Sequence, residues 1–187
     1  MKAARLSTLT EIEAALWQEL RGAVRDKAHG WRTPVLATVA TRGDEVAADA
    51  RTVVLREVNV AARELLFYSD ARAPKAGQLR EHPQATLVMW CKVLAWQLRC
   101  RVRLSLQEEG LAVSSRWATL KHSAAAQDYL SPLSPGSPLT GTAPAAGQRE
   151  NFAVVTATVD EIDWLELHPK GHRRARFGPG VAEWIQP

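Results

Sequence analysis

A chain of 187 residues with 46% hydrophobic and 24% charged residues has the composition of one soluble globular domain, residues 1–187. Its net charge is only +4, and its basic residues are scattered apart from two short groups, which argues against a nucleic-acid-binding protein. No apolar stretch approaches the ~20 residues that a membrane helix needs, and the N-terminus lacks the apolar run of a signal peptide, so we expect a cytoplasmic protein without a membrane partner.

The first third of the chain predicts one helix and then a series of strands. Thr10 and Glu13 form a capping-box pattern at the start of a predicted helix over residues 10–28, within an N-terminal helical region of residues 1–30. One face of this helix carries an apolar stripe of Ile12, Leu16, Trp17, Leu20 and Val24. Strands are predicted at residues 33–41, 46–55, 65–69, 84–90 and 96–106, with a turn around Gly43.

The last part of the chain combines a second long helix, an irregular segment and closing strands. Residues 110–127 have helical spacing of apolar positions, whereas the Pro/Gly/Ser-rich loop at residues 131–148 excludes a helix or central strand. Strands are predicted again at residues 152–159, 162–167 and 181–185. Because most strands are connected as hairpins, we expect an antiparallel sheet or barrel.

The hairpin around Lys92–Ala95 defines which side chains share a face. If the chain turns there, Trp96 pairs with Cys91, and Cys100 falls opposite Leu87, too far from Cys91 for a disulfide. We therefore expect two reduced thiols, as in a cytosolic protein. Strand alternation places Gln97 on one face with Arg99, Arg101 and Arg103, and it directs Trp96, Leu98, Cys100 and Val102 into the core.

Three side chains suited to a phosphate lie on neighbouring predicted elements. Arg51 begins a strand-like run over residues 51–56, Ser69 ends the next strand, and Lys75 follows Pro74 at a predicted helix start. A helix start offers free N–H groups and a partial positive charge to an anion. Each residue alone also fits an ordinary surface role, so the order and spacing of the set carry the prediction.

Several motifs in order resemble the pyridoxamine 5'-phosphate oxidase superfamily of FMN-binding split β-barrels. They are Arg51-Thr-Val-Val-Leu-Arg56, Phe67-Tyr68-Ser69, Ala73-Pro74-Lys75-Ala76, Trp96-Gln97-Leu98-Arg99, Val159–Trp164, His172–Arg176 and Trp184–Pro187. The resemblance covers roughly residues 33–187. It implies a mainly β fold with peripheral helices, built on a six-stranded antiparallel split β-barrel.

The resemblance also implies an FMN site. Arg51 and Lys75 would contact the FMN phosphate, Tyr68 and Ser69 would hold the ribityl-phosphate side, and Gln97 would reach the flavin from the hairpin. Thr52, Val53, Val54 and the residues up to Arg56 would run beside the flavin with their backbone groups. Trp164, or its neighbour Leu165, and Arg176 would complete the site from a second subunit, which implies a homodimer with FMN at the interface.

The expected activity is flavin-dependent oxidation or reduction of a small substrate, with substrate-contacting residues Arg56, Arg99, Arg173 and Arg174. Pro74 replaces an arginine of the family pattern, and the motif ending at Arg176 is shorter and lacks a histidine, so we do not expect the vitamin B6 oxidase itself. No catalytic base stands out. Two alternatives stay open: a flavin carrier or sensor, and a cofactor-free barrel that binds another anion or a protein.

A metal site is not expected. His168 and His172 are four residues apart, but Pro169 and Gly171 between them oppose a helix that would bring the two rings together.

Overall fold

A computed structural model describes residues 5–139 and 151–187 and contains one antiparallel sheet. The first six strands are β1 (Val35–Arg42), β2 (Glu45–Thr52), β3 (Leu55–Asn59), β4 (Glu64–Asp70), β5 (Gln84–Cys91) and β6 (Trp96–Gln107). The last three are β7 (Phe152–Glu166), β8 (Arg173–Gly178) and β9 (Val181–Ile185). The helices are α1 (Leu9–Arg25), α2 (Pro74–Glu81), α3 (Leu111–Leu120) and a 3₁₀ helix (Ala124–Tyr129).

The order of strands closes the sheet upon itself. The hydrogen-bonded path runs β2-β1-β5-β6-β7-β4-β3, so its two edge strands, β2 and β3, are consecutive in the chain. Only Val53 and Val54 separate them, and the N–H groups of Val53 and Leu55 donate to the carbonyls of Pro34 and Arg32 at 2.9 Å each. The two edges therefore meet at this connection, which confirms the mainly β, antiparallel split barrel. The described residues hold nine strands: seven lie on this path, and β8 and β9 extend the sheet beside β7.

Two apolar cores lie on opposite sides of the sheet. The main core fills the barrel and includes the buried side chains of α1 and the inward side chains of β3 to β8. The second core lies where α3 and the 3₁₀ helix cover the outer face of β4 and β7, and it contains Leu66, Val113, Trp117, Tyr129 and Phe152. Both faces of β4 are thus buried, as its pattern of consecutive apolar residues indicates.

The N-terminal helix has the predicted face but a different start. Ile12, Leu16, Trp17 and Leu20 are buried, as predicted. The capping box is formed by Thr8 and Glu11 and not by Thr10 and Glu13, because the sequence contains the same spacing twice. The prediction of Thr10 as the cap is therefore wrong by two residues. No helix of the described residues is both long and apolar enough to cross a membrane.

The hairpin of β5 and β6 has the predicted register. Cys91 pairs with Trp96 and Leu87 with Cys100, and both cysteines are buried free thiols. Trp96, Leu98, Cys100 and Val102 are buried, while the alternate arginines are exposed. The face on which Gln97 lies was therefore predicted correctly.

Other boundaries differ from the prediction for local reasons. The predicted strand at residues 46–55 is broken after Thr52, where the chain passes from one sheet edge to the other. Strands predicted at residues 152–159 and 162–167 form the single strand β7, whereas α3 ends at Leu120, short of the predicted 127. In the predicted loop at residues 131–148, the described part up to Leu139 has no regular secondary structure, and the remainder lies outside the described residues.

Candidate functional site

The start of α2 brings two of the predicted phosphate-binding cations together. Pro74 is the first residue of the helix, and Ala73 at the N-cap has no side-chain oxygen to accept a hydrogen bond from the first turn. The Lys75 ammonium lies close enough to Arg51 for repulsion to contribute to its pKa. Burial first, and then Arg51, lower the pKa of Lys75, while Asp70 acts in the opposite direction. Within the described residues Lys75 has no ion-pair partner.

Arg51 is held in place by side chains from three elements. Its Nη1 donates to Thr38 Oγ1 on β1 at 2.5 Å, and its Nη2 donates to Gln78 Oε1 on α2 at 3.0 Å and pairs with Asp49. Gln78 Nε2 in turn donates to Asp49 Oδ2 at 2.8 Å. Because Arg51 is opposite the fully buried Leu36 in the register of β1 and β2, it lies on the inner face of the sheet, under α2.

Ser69 and Asp70 lie at the end of β4, immediately before α2. Both are buried, and the Ser69 hydroxyl donates to the carbonyl of Asp70 at 2.9 Å. Asp70 forms a bidentate pair with Arg72, at 3.1 and 2.7 Å, and Arg72 also donates to the carbonyls of Ser131, Pro132 and Leu133. The carboxylate next to Lys75 is therefore already paired, which leaves the Lys75 charge available to an anion.

The connection between β2 and β3 carries the backbone predicted to run beside the flavin. Val53 is buried and Thr52 is exposed, so successive side chains alternate between the core and the surface. Arg56 follows, inserted as a bulge between Leu55 and Glu57 of β3. Its guanidinium lies 5.4 Å from the centre of the Tyr68 ring.

Gln97 belongs to a second group of predicted residues on the outer face of the sheet. It pairs with Leu165 of β7, which pairs with Arg174 of β8. Arg176 is exposed on the same face, two residues along β8, and lies next to Glu161 and Glu183. Trp164 does not join this group, because its side chain is fully buried in the barrel core. Of the two residues predicted for this position, Trp164 and Leu165, it is Leu165 whose side chain faces outward.

Three arginines predicted to contact substrate pair with carboxylates of their own chain. Arg174 forms a bidentate pair with Asp163 at 2.8 and 2.7 Å, and Arg99 lies 3.8 Å from the same carboxylate. Arg173 pairs with Glu166 at 2.9 Å, and its guanidinium lies 5.6 Å from the rings of both Trp164 and Trp184. Each of Arg99, Arg173 and Arg174 thus has a carboxylate partner in β7.

Several polar residues in this region were not predicted. Gln78 lies one helical turn after Lys75, so helical spacing in the sequence could have predicted that the two side chains are neighbours on one face of α2. Glu57 and Arg116 pair across 59 positions of sequence, and neither has a local pattern that predicts the other. Long-range pairs of this kind need the fold to be known first.

His168 and His172, the two histidines four residues apart, lie in the loop between β7 and β8. The backbone N–H of His168 donates to Nδ1 of His172 at 3.1 Å within a loop. No group of three or more metal-binding side chains was found among residues 5–139 and 151–187.

Comparisons with known proteins identify the family of this chain. The family model described as "Pyridoxamine 5'-phosphate oxidase, FMN-binding domain" matches residues 14–107, half of the chain, and so includes Arg51, Lys75 and Gln97. No curated protein sequence matches the chain.

Solved structures share the fold over nearly the whole chain. A pyridoxamine 5'-phosphate oxidase-related, FMN-binding protein from Nostoc punctiforme PCC 73102 is 24% identical, with a TM-score of 0.76, over 97% of this chain and 98% of its own. PhzG from Burkholderia lata 383, solved with tetrahydrophenazine-1-carboxylic acid, is 15% identical, with a TM-score of 0.76, over 99% and 98%. A heme-binding protein from Mycobacterium smegmatis is 17% identical, with a TM-score of 0.54, over 94% and 60%. These structures show the fold, and the family model indicates the ligand.

Proposed function

Because the chain belongs to the pyridoxamine 5'-phosphate oxidase FMN-binding domain family, we propose that it is an FMN-dependent oxidoreductase acting on a small substrate. The observation that carries the proposal is the pair of adjacent cations, Arg51 and Lys75, at the uncapped start of α2. When bound, FMN supplies the redox chemistry, and the protein supplies binding, orientation and electrostatics.

The phosphate of FMN fits the start of α2 on physical grounds. Lys75 is half-buried beside Arg51, so a dianion there removes the repulsion between the two cations. The free N–H groups of the first helical turn add donors, and they favour negative charge. Thr38 and Gln78 orient Arg51 before the ligand arrives, which reduces the entropy lost on binding.

The remaining cofactor-binding residues form two groups on different strands. The first group includes Arg51 and Lys75 and continues along β2, β3, β4 and the β2–β3 connection, with Thr52, Val53, Val54, Arg56, Tyr68 and Ser69. The second group, Gln97, Leu165 and Arg176, lies on the outer face of β6, β7 and β8. We propose that a homodimer joins the first group of one subunit to the second group of its partner. In this arrangement Leu165, and not Trp164, completes the FMN site of the partner subunit.

We place this protein in the cytoplasm. Cys91 and Cys100 are both free and buried, and two thiols that form no disulfide suit a reducing compartment.

The first test is the visible absorption spectrum of the purified protein before and after addition of FMN. Arg51→Ala removes a charge-assisted hydrogen bond and should weaken FMN binding by ~1.5–3 kcal/mol. Arg80→Ala is the matched control, since Arg80 lies on the same helix with its side chain half exposed and pairs with Glu108. An absent flavin band, or an FMN affinity that Arg51→Ala leaves unchanged, contradicts the proposal.

A second candidate is a flavin carrier or sensor without efficient turnover. It is favoured because three of the four arginines predicted to contact substrate already form ion pairs within the chain: Arg99, Arg173 and Arg174. Stopped-flow mixing of the FMN-loaded protein with NADH or NADPH separates the two candidates. Fast reduction followed by oxygen-linked turnover supports the oxidoreductase, whereas a flavin that stays oxidised supports the carrier or sensor.

A further inference from the structure

A polar cluster lies on the outer face of β3 and β4, at the margin of the second core. The bulge in β3 inserts Arg56, and the following residue, Glu57, is opposite Leu66, a member of that core. Tyr68 lies two residues from Leu66 on the same face, and its hydroxyl donates to Glu57 Oε1 at 3.3 Å. The Arg56 guanidinium covers the ring of Tyr68. The bulge thus brings two consecutive residues of opposite charge to one tyrosine.

Helix α3 contributes the second arginine of the cluster. Arg116 donates through Nε and Nη2 to the two carboxylate oxygens of Glu57, at 2.6 and 2.7 Å, and through Nη1 to the carbonyl of Ala112 at 2.9 Å. The hydrogen bonds from Arg116 keep the pKa of Glu57 below its usual range in spite of partial burial. Arg116 is therefore fully engaged, and the charge of Glu57 is cancelled by it.

Arg56 is the remaining cation of the cluster. Its Nε is buried without a hydrogen-bond partner, and it forms no ion pair with any residue of the described ranges. The Tyr129 hydroxyl lies beside it: burial raises the pKa of Tyr129, and the nearby Arg56 offsets part of that rise. Because Arg56 is only partly buried and no carboxylate of the described residues balances its charge, an external anion that reaches its guanidinium gains a charge-assisted hydrogen bond.

We infer that the substrate carries a single, carboxylate-type negative charge at Arg56, and that Glu57 sets this preference by neutralising Arg116. The inference rests on the proposed function, since it concerns the substrate side of the same site. Arg56, Arg116 and Glu57 together carry one net positive charge, which balances a monoanion. A phosphate monoester carries close to two negative charges at neutral pH and leaves one of them uncompensated beside Glu57.

The test uses two probes that differ only in their anionic group, benzoate and phenyl phosphate. Each is titrated into the FMN-loaded protein and followed by isothermal titration calorimetry and by the change in flavin absorbance. FMN loading is read from the flavin band before a probe is added, so failure of the proposed function is seen separately. The wild-type protein should bind benzoate more tightly than phenyl phosphate, and Arg56→Met should weaken benzoate binding by about tenfold or more.

Two substitutions with opposite charge effects distinguish this role from a structural one. Glu57→Gln releases the charge of Arg116 and should strengthen phenyl phosphate binding by about tenfold, whereas Arg116→Gln leaves Glu57 unpaired near Arg56 and should weaken binding of both probes. Glu109→Gln, at an exposed position before α3, is the matched control.

The inference is overturned if the wild-type protein fails to bind benzoate or prefers phenyl phosphate. It is also overturned if Arg56→Met leaves benzoate binding unchanged, or if Glu57→Gln and Arg116→Gln weaken both probes alike. Far-UV circular dichroism and thermal melting of each variant identify any loss of fold. If Glu57→Gln does not fold, the drop in binding expected for Arg116→Gln decides the question.

Discussion

Lys75 lies beside Arg51 at the start of α2, while Asp70, the carboxylate that acts on it, is already paired with Arg72. Burial and the neighbouring guanidinium both oppose the charged form of the lysine. Two cations held together in this way lower the stability of the protein when no anion is bound, and the binding of an anion restores that stability. We therefore expect that removing one of the two cations stabilises the FMN-free protein and weakens the binding of FMN.

Lys75→Met should separate these two effects. Without FMN, the substitution removes a half-buried charge and should raise the free energy of unfolding by up to about 1 kcal/mol, the scale of a partly exposed charge interaction. With FMN, it removes a charge-assisted contact, and binding should weaken by about 1.5–3 kcal/mol. Urea unfolding of the FMN-free protein and fluorescence titration with FMN measure the two quantities. Lys92→Met, at an exposed position of the β5–β6 turn, is the control and should change neither.

The affinity for FMN should also fall at alkaline pH. A dianion binds best when Lys75 is protonated, and the pKa of Lys75 in the FMN-free protein is lowered by burial and by Arg51. Affinity is therefore full below this lowered pKa and is lost as the pH rises through it, earlier than for an ordinary lysine. Titrations between about pH 7 and about pH 9.5 avoid the ionisation of the phosphate itself. A pH profile identical to that of Lys75→Met would contradict this assignment.

Subunit complementation tests the division of the FMN site between two copies. Arg51→Ala damages the group at the start of α2, and Arg176→Ala damages the group on the outer face. In a mixed dimer of these variants, one site carries both substitutions and the other carries neither.

When the two variants are unfolded and refolded together in equal amounts, random pairing of subunits should leave about a quarter of all FMN sites intact. FMN bound per chain is measured after gel filtration, with each variant refolded alone as the control. A mixture that binds no more than the mean of the two variants would show that both groups act within one chain.

The parts of the fold that follow local periodicity could be predicted. Alternation along residues 96–103 correctly separated Gln97 and the arginines from Trp96, Leu98 and Cys100, because a strand with one buried face repeats every two residues. Helical spacing likewise predicted the buried face of α1, although a repeated Thr-x-x-Glu pattern misplaced its first residue. Periodicity identifies faces more reliably than it identifies ends.

The parts that depend on long-range contacts could not be predicted. The bulge at Arg56 and the break after Thr52 arise where the sheet closes, and a strand-like run over residues 51–56 does not reveal either. Arg173 and Arg174 are predicted to contact substrate, and nothing local in the sequence indicates their ion-pair partners Glu166 and Asp163, which lie in the neighbouring strand β7. Whether an arginine binds a ligand or a carboxylate of its own chain depends on which strands become neighbours.

Glu166 should contribute more to stability than any surface carboxylate of this chain. Its buried side chain accepts hydrogen bonds from Arg173 at 2.9 and 3.2 Å and from Arg5 at 2.8 Å, and so connects β7 and β8 to the segment before α1. Although burial alone would raise the pKa of Glu166, the hydrogen bonds from Arg173 and Arg5 lower it overall. Glu166→Gln should reduce the free energy of unfolding at pH 7 by about 2–3 kcal/mol, less than for a fully buried pair because both arginines are partly exposed.

The pH dependence of this effect follows from the direction of the shift. A carboxyl group with a lowered pKa contributes its full stabilisation above the ordinary pKa of glutamate and loses it as the pH falls toward the lowered value. The difference between wild type and Glu166→Gln should therefore shrink between about pH 5 and about pH 3. Urea unfolding across this range measures it, and Glu81→Gln, at the exposed end of α2, is the control. A difference that stays constant with pH would mean that the Glu166 contacts contribute through packing and not through charge.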